Sequence, residues 1–274
     1  MATHRRRSRH AENELSAELP RAAGATSPLA NALIAPRRAA SGYSYRMSIP
    51  TLPAAVLARR AALPGKPAPV VLTGSLVELR PLELDAAVDA LYAVTSGAAC
   101  RLGARSCDAY DPDDRVWRYM SGGPFADAAA LRAWLAPQVA APDGLPLAVR
   151  LDRALVGVAC FIANQPAHLK IELGTIWYGP IAQGTGASAE ATYLMLAHAF
   201  ALGYRRVEWK CDAQNQPSRR AALAYGFTFE GVQDAHYIIK GRNRDTAWFR
   251  MLDSEWQALA PRLRASATSR ATPR

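Results

Sequence analysis

The segment 168–211 constrains the fold more than any other part of the chain. An alternating stretch, HLKIELGTIWY (168–178), is followed by the glycine-containing loop PIAQGTGASAEA (180–191). An apolar stretch with helical character then ends at Gly203, and YRRVEWKC (204–211) has the composition of a second strand. A helix that joins two strands of one sheet brings the second strand back parallel to the first, so this segment predicts one βαβ crossover.

The strands on either side of this crossover are predicted to pair antiparallel. LPLAVRL (145–151) and LVGVACFIA (155–163) are separated by a short turn, which is typical of a hairpin. LVELRPL (76–82) is an earlier strand, two helices follow it, and FTFEGV (227–232) and DTAWFRML (245–252) end the domain. We therefore expect an α/β (α+β) fold: a single domain with a mixed, mostly antiparallel sheet, one βαβ crossover and flanking helices.

The two ends of the chain differ in composition from its middle. Residues 1–70 are rich in Ala, Arg, Pro and Ser without a sustained period, so we expect a largely disordered basic extension there. Residues 261–274 are expected to be a disordered basic tail, and 75–256 the folded domain. Two explanations of the first 46 residues stay open: translation begins at Met47, or the segment is an organelle transit peptide.

The formal net charge of +10 comes from these two ends. Residues 75–260 hold slightly more acidic than basic side chains, so we expect no nucleic acid to bind through the folded domain. No stretch approaches the roughly 18 uninterrupted apolar residues that span a bilayer, and we expect no membrane partner. We expect the chain to be a monomer or a homodimer.

The four cysteines, Cys100, Cys107, Cys160 and Cys211, include no C-x-x-C pair and have no His at metal-ligand spacing. We therefore expect free thiols, no metal site, and a cytoplasmic or otherwise reducing location. An organellar location applies only if the N-terminal extension is a transit peptide.

The glycine loop favours an anion as its ligand. Gly184 and Gly186 allow backbone N–H groups to converge without a Cβ in the way, and a helix that starts near Ser188 adds its positive end. A plain strand-to-helix turn is the simpler interpretation. The loop also matches the degenerate dinucleotide fingerprint, with Glu208 as the ribose-binding acid, but Gly179-Pro180 interrupt the strand first, which argues against a nicotinamide enzyme.

Together with the residues that follow it, the loop resembles the GNAT (GCN5-related N-acetyltransferase) family, in the branch that includes ribosomal-protein-alanine N-acetyltransferases. The resemblance covers about residues 75–255 and rests on the glycine loop, on Asn215 and Ser218 in NQPS, and on Gly226-Phe227. It implies an acetyl-CoA-dependent transfer of an acetyl group to a primary amine by direct attack. The amine belongs either to a protein N-terminus or to a small molecule.

The same resemblance implies which residues bind acetyl-CoA. The glycine loop would hold the diphosphate, the strand before it would pair with the pantetheine arm, and Arg219 or Arg220 would meet the 3′-phosphate. The implied cofactor-binding residues are Ile176, Trp177, Tyr178, Ala182, Gln183, Gly184, Thr185, Gly186, Ala187, Ser188, Asn215 and Ser218.

Two positions depart from the family pattern. The first loop position, commonly Gln or Arg, is Ile181, which removes a side-chain contact to the diphosphate but leaves the backbone cradle. The Tyr that often protonates the departing thiolate falls at Ala222, so Ser218 is the better candidate for that acid. The missing Tyr also leaves open a non-catalytic acyl-CoA-binding or regulatory domain.

Acetyl transfer to an amine needs a base, because an alkyl ammonium is almost wholly protonated at neutral pH. Three candidates remain open: Glu172 on the strand before the loop, Glu208 on the strand after the crossover, and His236 in DAHYIIKGRNRD. A backbone N–H at Ile176 or Trp177 would polarise the thioester carbonyl.

The acceptor pocket is expected between WRYMSGGPF (117–125) and HYIIKGRNRDT (236–246). Its candidate residues are aromatic side chains, which alternatively serve as ordinary packing. We expect Arg242, Arg244 and Asp245 to form a salt-bridged turn, the alternative being a substrate clamp. The aromatic candidates are Trp117, Tyr119, Phe125 and Tyr237.

Overall fold

The computed structural model of the chain describes residues 51–269, with side chains described through Ala265. None of its helices combines the length and the apolar character needed to cross a membrane. The helices are α1 (Ala54–Ala62), α2 (Leu84–Ala93), α3 (Ala128–Ala140), α4 (Ala187–Leu202), α5 (Gln216–Ala224) and α6 (Asp253–Ser269). The strands are β1 (Leu72–Thr73), β2 (Val77–Pro81), β3 (Cys100–Leu102), β4 (Arg105–Cys107), β5 (Leu145–Leu151), β6 (Ala154–Gln165), β7 (Lys170–Tyr178), β8 (Arg206–Asp212), β9 (Thr228–Ile239) and β10 (Arg242–Leu252).

Eight of the strands form one sheet in the order β1-β2-β5-β6-β7-β8-β10-β9, and β3 and β4 form a separate hairpin. Neighbours in the sheet pair antiparallel except β7 and β8, which pair parallel and are joined through α4. The mixed, mostly antiparallel sheet with one βαβ crossover is therefore confirmed. Residues 1–50 and 270–274 lie outside the described part of the chain.

Helices cover the sheet on both faces. On one side, here the α4 face, the apolar side chains of α4 pack with Val207, Trp209 and Phe249 from the strands, and α6 packs beside α4. On the other side, here the α2 face, helices α2 and α3 pack against the opposite side chains of β5, β6 and β7, among them Val158 and Trp177. Strand alternation thus supplies two apolar layers from a single sheet.

The β5–β6 hairpin has the short turn that the sequence predicts. Asp152 and Arg153 have φ values of 50° and 68°, and Leu151 pairs with Ala154. A two-residue loop with both central residues at positive φ is a type I′ turn, whose twist matches that of the two strands.

The N-terminal extension differs from the prediction of disorder in its last part. Residues Ala54–Ala62 form α1, where Arg59 makes an ion pair with Asp253 at 3.2 Å. Asn164 donates hydrogen bonds of 2.8 Å to the carbonyls of Pro64 and Gly65, and Leu63 is buried in the core. These partners are far away in the sequence, so composition alone did not reveal that the segment is docked.

The C-terminal tail also differs from the prediction. Helix α6 continues through Pro261 to Ser269, although residues 261–274 were expected to be disordered. Trp256 stacks on Phe200 of α4, with ring centroids 5.2 Å apart, and Leu259 and Leu263 pack against the same core. The apolar spacing of these three side chains gives the helix a partly buried stripe, which the basic composition of the tail obscured.

The last hairpin is longer than predicted. The chain turns at Lys240 and Gly241, whose φ values are 50° and 71°, so β9 and β10 include most of the residues between the two predicted strands, 227–232 and 245–252. His236 therefore lies in β9.

Candidate active site

Strands β7 and β8 separate after a short paired stretch. Their ladder joins Lys170 to Arg206 and ends where Glu172 lies opposite Glu208. Beyond that point β7 has an irregular residue, Thr175, with φ of 48°. A cavity of about 360 Å³ opens in the gap between the two diverging strands. The edge of β7 that faces this gap makes no ladder pair with β8.

The cavity reaches both faces of the sheet. Trp209 and Cys211 of β8 line it from the α4 face, and Lys210 between them lines it from the α2 face, because successive strand side chains point to opposite sides. The α4 face contributes residues of α4 and α5, and the α2 face contributes the segment 114–121. Two molecules can therefore approach the gap from opposite sides of the sheet.

The glycine loop lies at the α4 end of the cavity. Gly184 and Gly186 have φ values of 76° and 91°, a backbone region that glycine enters without strain. The Thr185 hydroxyl donates to the carbonyl of Ala182 at 2.7 Å and accepts from the first helical N–H, that of Ala187, at 3.2 Å. The next two N–H groups of α4, those of Ser188 and Ala189, have no carbonyl partner within the helix. This cradle fits a diphosphate.

The loop is fixed on both sides. Gln183 and Arg115 exchange two hydrogen bonds of 3.1 Å, which tie the loop to the π-helical turn Asp113–Trp117. Ile181 is buried in the core, together with Ala182. The loop position that departs from the family pattern therefore contributes packing, and the backbone is left to contact a ligand.

Glu172 is the buried acid of the cavity. Its exposed fraction is 1%, and the Nζ atom of Lys210 lies 2.8 Å from its Oε2. The contact is an ion pair without the alignment of a hydrogen bond, because Oε2 has no hydrogen-bond partner among the described residues. Burial raises the pKa of the Glu172 carboxyl, and the Lys210 ammonium acts against that shift.

The other two candidate bases do not line the cavity. Glu208 forms ion pairs with Arg206 at 2.7 Å and with Lys170 at 3.0 Å. His236 packs against the ring of Tyr237, with centroids 3.9 Å apart, and its buried Nδ1 has no hydrogen-bond partner among residues 51–269.

Ser218 and Asn215 lie on the α5 side of the cavity. The Oδ1 atom of Asn215 caps α5 by accepting from the N–H of Ser218 at 3.0 Å. The Ser218 hydroxyl accepts from Trp209 Nε1 at 3.0 Å. The Arg219 guanidinium donates to the carbonyl of Ala213 and lies over the ring of Phe229, whereas Arg220 is exposed.

Most of the residues predicted to bind a cofactor lie at the cavity wall. Ala182, Gly184, Thr185, Gly186 and Ala187 form the loop and the start of α4 beside it. The lining residues of the set are Ile176, Trp177, Tyr178, Gln183, Ser188, Asn215 and Ser218.

The aromatic side chains predicted for a substrate pocket divide into two groups. Trp117 is 1% exposed, donates to the carbonyl of Thr95, and packs against Phe125 and Trp177. Trp117 and Phe125 do not line the cavity, so their role here is packing. Tyr119 lines the cavity. Tyr237 does not line the cavity, but the guanidinium of Arg244 lies over its ring, 5.5 Å from the centroid.

Several lining residues were not among the predicted site residues. One of them is Lys210, although it follows Glu208 at the next position on the same strand face. Arg244, expected in a salt-bridged turn and not as a substrate clamp, also lines the cavity. The predicted salt-bridged turn was wrong: Asp245 accepts from the N–H of Ala235 and from the Asn243 amide instead of from an arginine. No three His, Cys, Asp or Glu side chains of the described residues come together as metal ligands.

Comparison with known families gives one match. A sequence model described as the Acetyltransferase (GNAT) domain matches residues 77–228, which is more than half of the chain. This range contains the diverging strands, the glycine loop and α5.

Known proteins with similar sequences and structures agree with that match. The ribosomal-protein-serine acetyltransferase of Escherichia coli (strain K12) is 29% identical over 103 residues, which cover 37% of this chain and 57% of that relative. A crystal structure of a GCN5-related N-acetyltransferase from Brucella melitensis is 37% identical, covers 73% of this chain and 86% of its own, and has a TM-score of 0.66. A probable GNAT-family acetyltransferase from Chromobacterium violaceum ATCC 12472 is 34% identical, covers 71% and 97%, and has a TM-score of 0.61.

Proposed function

Because this chain belongs to the GNAT acetyltransferase family, as its sequence resemblance predicted, and is therefore an N-acetyltransferase, we propose that it transfers an acetyl group from acetyl-CoA to a primary amine. The amine belongs to a protein N-terminus or to a small molecule, and it attacks the thioester directly. The observation that carries this proposal is the cavity that crosses the sheet where β7 and β8 separate.

Acetyl-CoA, when bound, supplies the activated acetyl thioester. The N–H groups of Ser188 and Ala189, together with the positive end of α4, would hold its diphosphate at the glycine loop. The edge of β7 at Ile176 and Trp177 would hold the pantetheine arm through backbone hydrogen bonds, since β8 no longer occupies that edge. A backbone N–H on the same edge would stabilise the negative charge that develops on the carbonyl oxygen.

We assign the general base to Glu172. It lines the cavity on the α2 face, which leaves that side free for an amine. Burial raises the pKa of its carboxyl, and a base whose pKa is closer to the working pH takes a proton from an ammonium more readily. The Lys210 ammonium favours the ionised form of the carboxyl, which is the form that accepts a proton.

We assign the proton donor to Ser218, because the Tyr used by many family members is replaced by the buried Ala222. As the amine nitrogen bonds to the carbonyl carbon and the carbon–sulfur bond breaks, the Ser218 hydroxyl would give its proton to the departing sulfur. The Ser218 oxygen would regain a proton from solvent, to which Glu172 would release the proton taken from the amine. Until then the hydrogen bond that Trp209 Nε1 donates to the Ser218 oxygen would stabilise its charge.

The name of the Escherichia coli relative makes serine-terminated peptides the first acceptors to test. We also propose that the protein works in the cytoplasm or another reducing compartment. Cys100, Cys107, Cys160 and Cys211 are all free thiols, as expected for that environment.

The test is release of free thiol from acetyl-CoA by the full chain, with serine- and alanine-terminated peptides and a panel of small primary amines, and with mass spectrometry of the product. We expect at least one amine to gain an acetyl group. Binding of acetyl-CoA without transfer to any acceptor would favour a non-catalytic acyl-CoA-binding domain.

Neutral variants distinguish the three candidate bases. We expect Glu172→Gln to lower kcat by about 100-fold or more, the typical contribution of a general base. Glu208→Gln and His236→Ala are expected to keep most of the activity, since neither residue lines the cavity. Normal turnover in Glu172→Gln would move the base to another residue.

A further inference from the structure

Arg244 is a cation of the cavity wall whose side chain has no polar partner among the described residues. It makes no hydrogen bond or ion pair among the described residues, and its buried Nε is without an acceptor. Its contact is the ring of Tyr237, which lies under the guanidinium at 5.5 Å. That contact fixes the direction of the guanidinium and leaves its five N–H donors unused.

The other cations of the cavity wall are already occupied. Arg118 forms an ion pair with Asp114 at 2.6 Å, Lys210 with Glu172 at 2.8 Å, and Arg115 is bonded to Gln183. The nearest acid in sequence to Arg244 is Asp245, and its carboxylate accepts from the N–H of Ala235 at 2.7 Å and from Asn243 at 2.8 Å. Among the described residues, Arg244 is therefore the one lining cation whose side chain makes neither an ion pair nor a hydrogen bond, so all its donors are available to an anionic ligand.

Two more polar atoms without partners lie on the same pair of strands. Thr246 Oγ1, in a side chain that is 0% exposed, and His236 Nδ1 are both buried and have no hydrogen-bond partner among residues 51–269. The β9–β10 pairing is irregular between Arg244 and Thr246, where the two strands shift register. Buried polar groups in folded proteins almost always have partners, so the unpaired Nε of Arg244, which does line the cavity, indicates a missing acceptor.

We propose that Arg244 binds a carboxylate carried by the amine that this enzyme acetylates, and that the acceptor is therefore an amine with a carboxylate. The proposal rests on the proposed acetyltransferase function. A planar guanidinium presents paired N–H donors that match the two oxygens of a carboxylate. Two sources supply this chemistry: a free amino acid, and a peptide with an acidic residue next to its N-terminus.

Arg244 lies on the α2 face, and this separates the acceptor carboxylate that it would bind from the anions of the cofactor. The diphosphate cradle lies at Gly184–Ser188 on the α4 face. Alternation along β10 places Arg244 on the same face as Trp248, over whose ring Lys210 lies, so Arg244 shares the α2 face with Lys210 and with the assigned base, Glu172. An acceptor held by Arg244 would thus be anchored on the side from which its amine has to arrive.

The test compares matched acceptors in which a carboxylate is replaced by its neutral amide. One arm uses alanine against alaninamide, and the other uses peptides that begin alanyl-glutamyl against alanyl-glutaminyl. KM, kcat and the Kd for acetyl-CoA are measured for the wild type, Arg244→Gln and Arg244→Lys. The matched control is Arg242→Gln, since Arg242 is exposed, lies two residues away and does not line the cavity.

We expect the wild type to prefer the carboxylate member of at least one pair. In Arg244→Gln the KM for that acceptor should rise about tenfold or more, the usual effect of losing a charge-assisted hydrogen bond. The KM for the uncharged member, kcat and acetyl-CoA affinity should change little, Arg244→Lys should recover part of the loss, and Arg242→Gln should behave as the wild type. The arm that responds identifies the source of the carboxylate.

Three results would overturn the proposal: equal KM for both members of each pair in the wild type, an equal KM increase for both members in Arg244→Gln, or a loss of acetyl-CoA affinity instead. If no amine is acetylated, the proposed function fails separately. Equilibrium binding of the same pairs to the CoA-saturated protein, measured by nuclear magnetic resonance, then tests Arg244. In the wild type the carboxylate member of a pair should bind more tightly than the uncharged member, and in Arg244→Gln this difference should be lost. Equal binding of the two members to the wild type refutes the assignment.

Discussion

Glu190 supports the glycine loop from behind, and its replacement gives the sharpest stability prediction. The residue lies in the first turn of α4, is 4% exposed, and takes part in no ion pair among the described residues. Its two oxygens accept four hydrogen bonds: from the N–H and hydroxyl of Ser75 at 2.8 and 2.6 Å, and from the N–H groups of Leu76 and Val77 at 2.7 Å each. The carboxylate therefore joins the start of β2 to the helix that carries the loop.

The magnitude follows from the number of donors. In Glu190→Gln one amide oxygen still accepts from Leu76 and Val77, but the amide NH2 meets the N–H of Ser75, another donor. A buried donor left without an acceptor costs about 1–3 kcal/mol, and two charge-assisted bonds become neutral bonds of about half the strength. Burial of a neutral amide instead of a carboxylate offsets part of this loss. We expect the free energy of unfolding to fall by about 3 kcal/mol, and Tm by about 6–12 °C for a domain of this size.

The assay is urea unfolding followed by tryptophan fluorescence, with Glu83→Gln as the matched control, because Glu83 is exposed and its side chain caps no helix. Gly74→Ala should act at the same contact, since an added Cβ would overlap the carboxyl group of Glu190, whereas the Cβ of Gly65→Ala would meet nothing. A change below about 0.5 kcal/mol in Glu190→Gln, the level expected of an ordinary surface substitution, would refute the reasoning.

Three further substitutions test other parts of the structure. Lys210→Met removes the cation that lowers the pKa of Glu172, so the acid limb of the kcat/KM profile should move to higher pH. An acid limb that does not move, or that moves to lower pH, would contradict the role of Lys210 in lowering the pKa of the base. Trp117→Ala should lower the free energy of unfolding by about 4 kcal/mol, because the side chain is a buried core residue, and a stable variant with only KM raised would restore the substrate-pocket interpretation. Trp256→Ala should lower that free energy by about 2 kcal/mol by loosening α6, and an unchanged urea midpoint would support a disordered tail.

The crossover and the hairpins could be predicted because their signals are local. Gly203 has a φ of 98° and ends α4 where the sequence indicated a stop. Asp152 and Arg153 form a short turn between two alternating stretches, which identified β5 and β6. Asn215 caps α5 at the position where the family resemblance also places a cofactor contact.

The two docked ends of the chain could not be predicted because their partners are distant. Arg59 and Asp253 are 194 positions apart, and Asn164 lies about a hundred positions from the carbonyls that it binds. A low-complexity composition predicts disorder when the chain is considered alone. Here the apolar core of the rest of the domain provides the missing contacts for Val56 and Leu263.

The environment of Glu172 was ambiguous in the sequence for a different reason. Lys170, Glu172 and Gly174 share one face of an alternating strand, and such a face is commonly exposed to solvent. Strand β7 instead lies inside the sheet, with β6 and β8 on either side, so the same face is enclosed at Glu172. Which cation pairs with the acid depended on the register between β7 and β8, which periodicity does not determine.

The measurement that tests the central claim most directly is a calorimetric titration of acetyl-CoA into the full chain and two glycine variants. Gly184→Glu and Gly241→Glu place the same side chain at nearly the same backbone angle, with φ of 76° and 71° and open space around the added Cβ in both. In Gly184→Glu the new carboxylate lies beside the proposed diphosphate site, and like charges a few ångströms apart should weaken binding at least about tenfold. We predict one binding site in the wild type, an unchanged Kd in Gly241→Glu and that loss in Gly184→Glu. No binding to the wild type, or equal affinities for all three proteins, would contradict the assignment of the glycine loop.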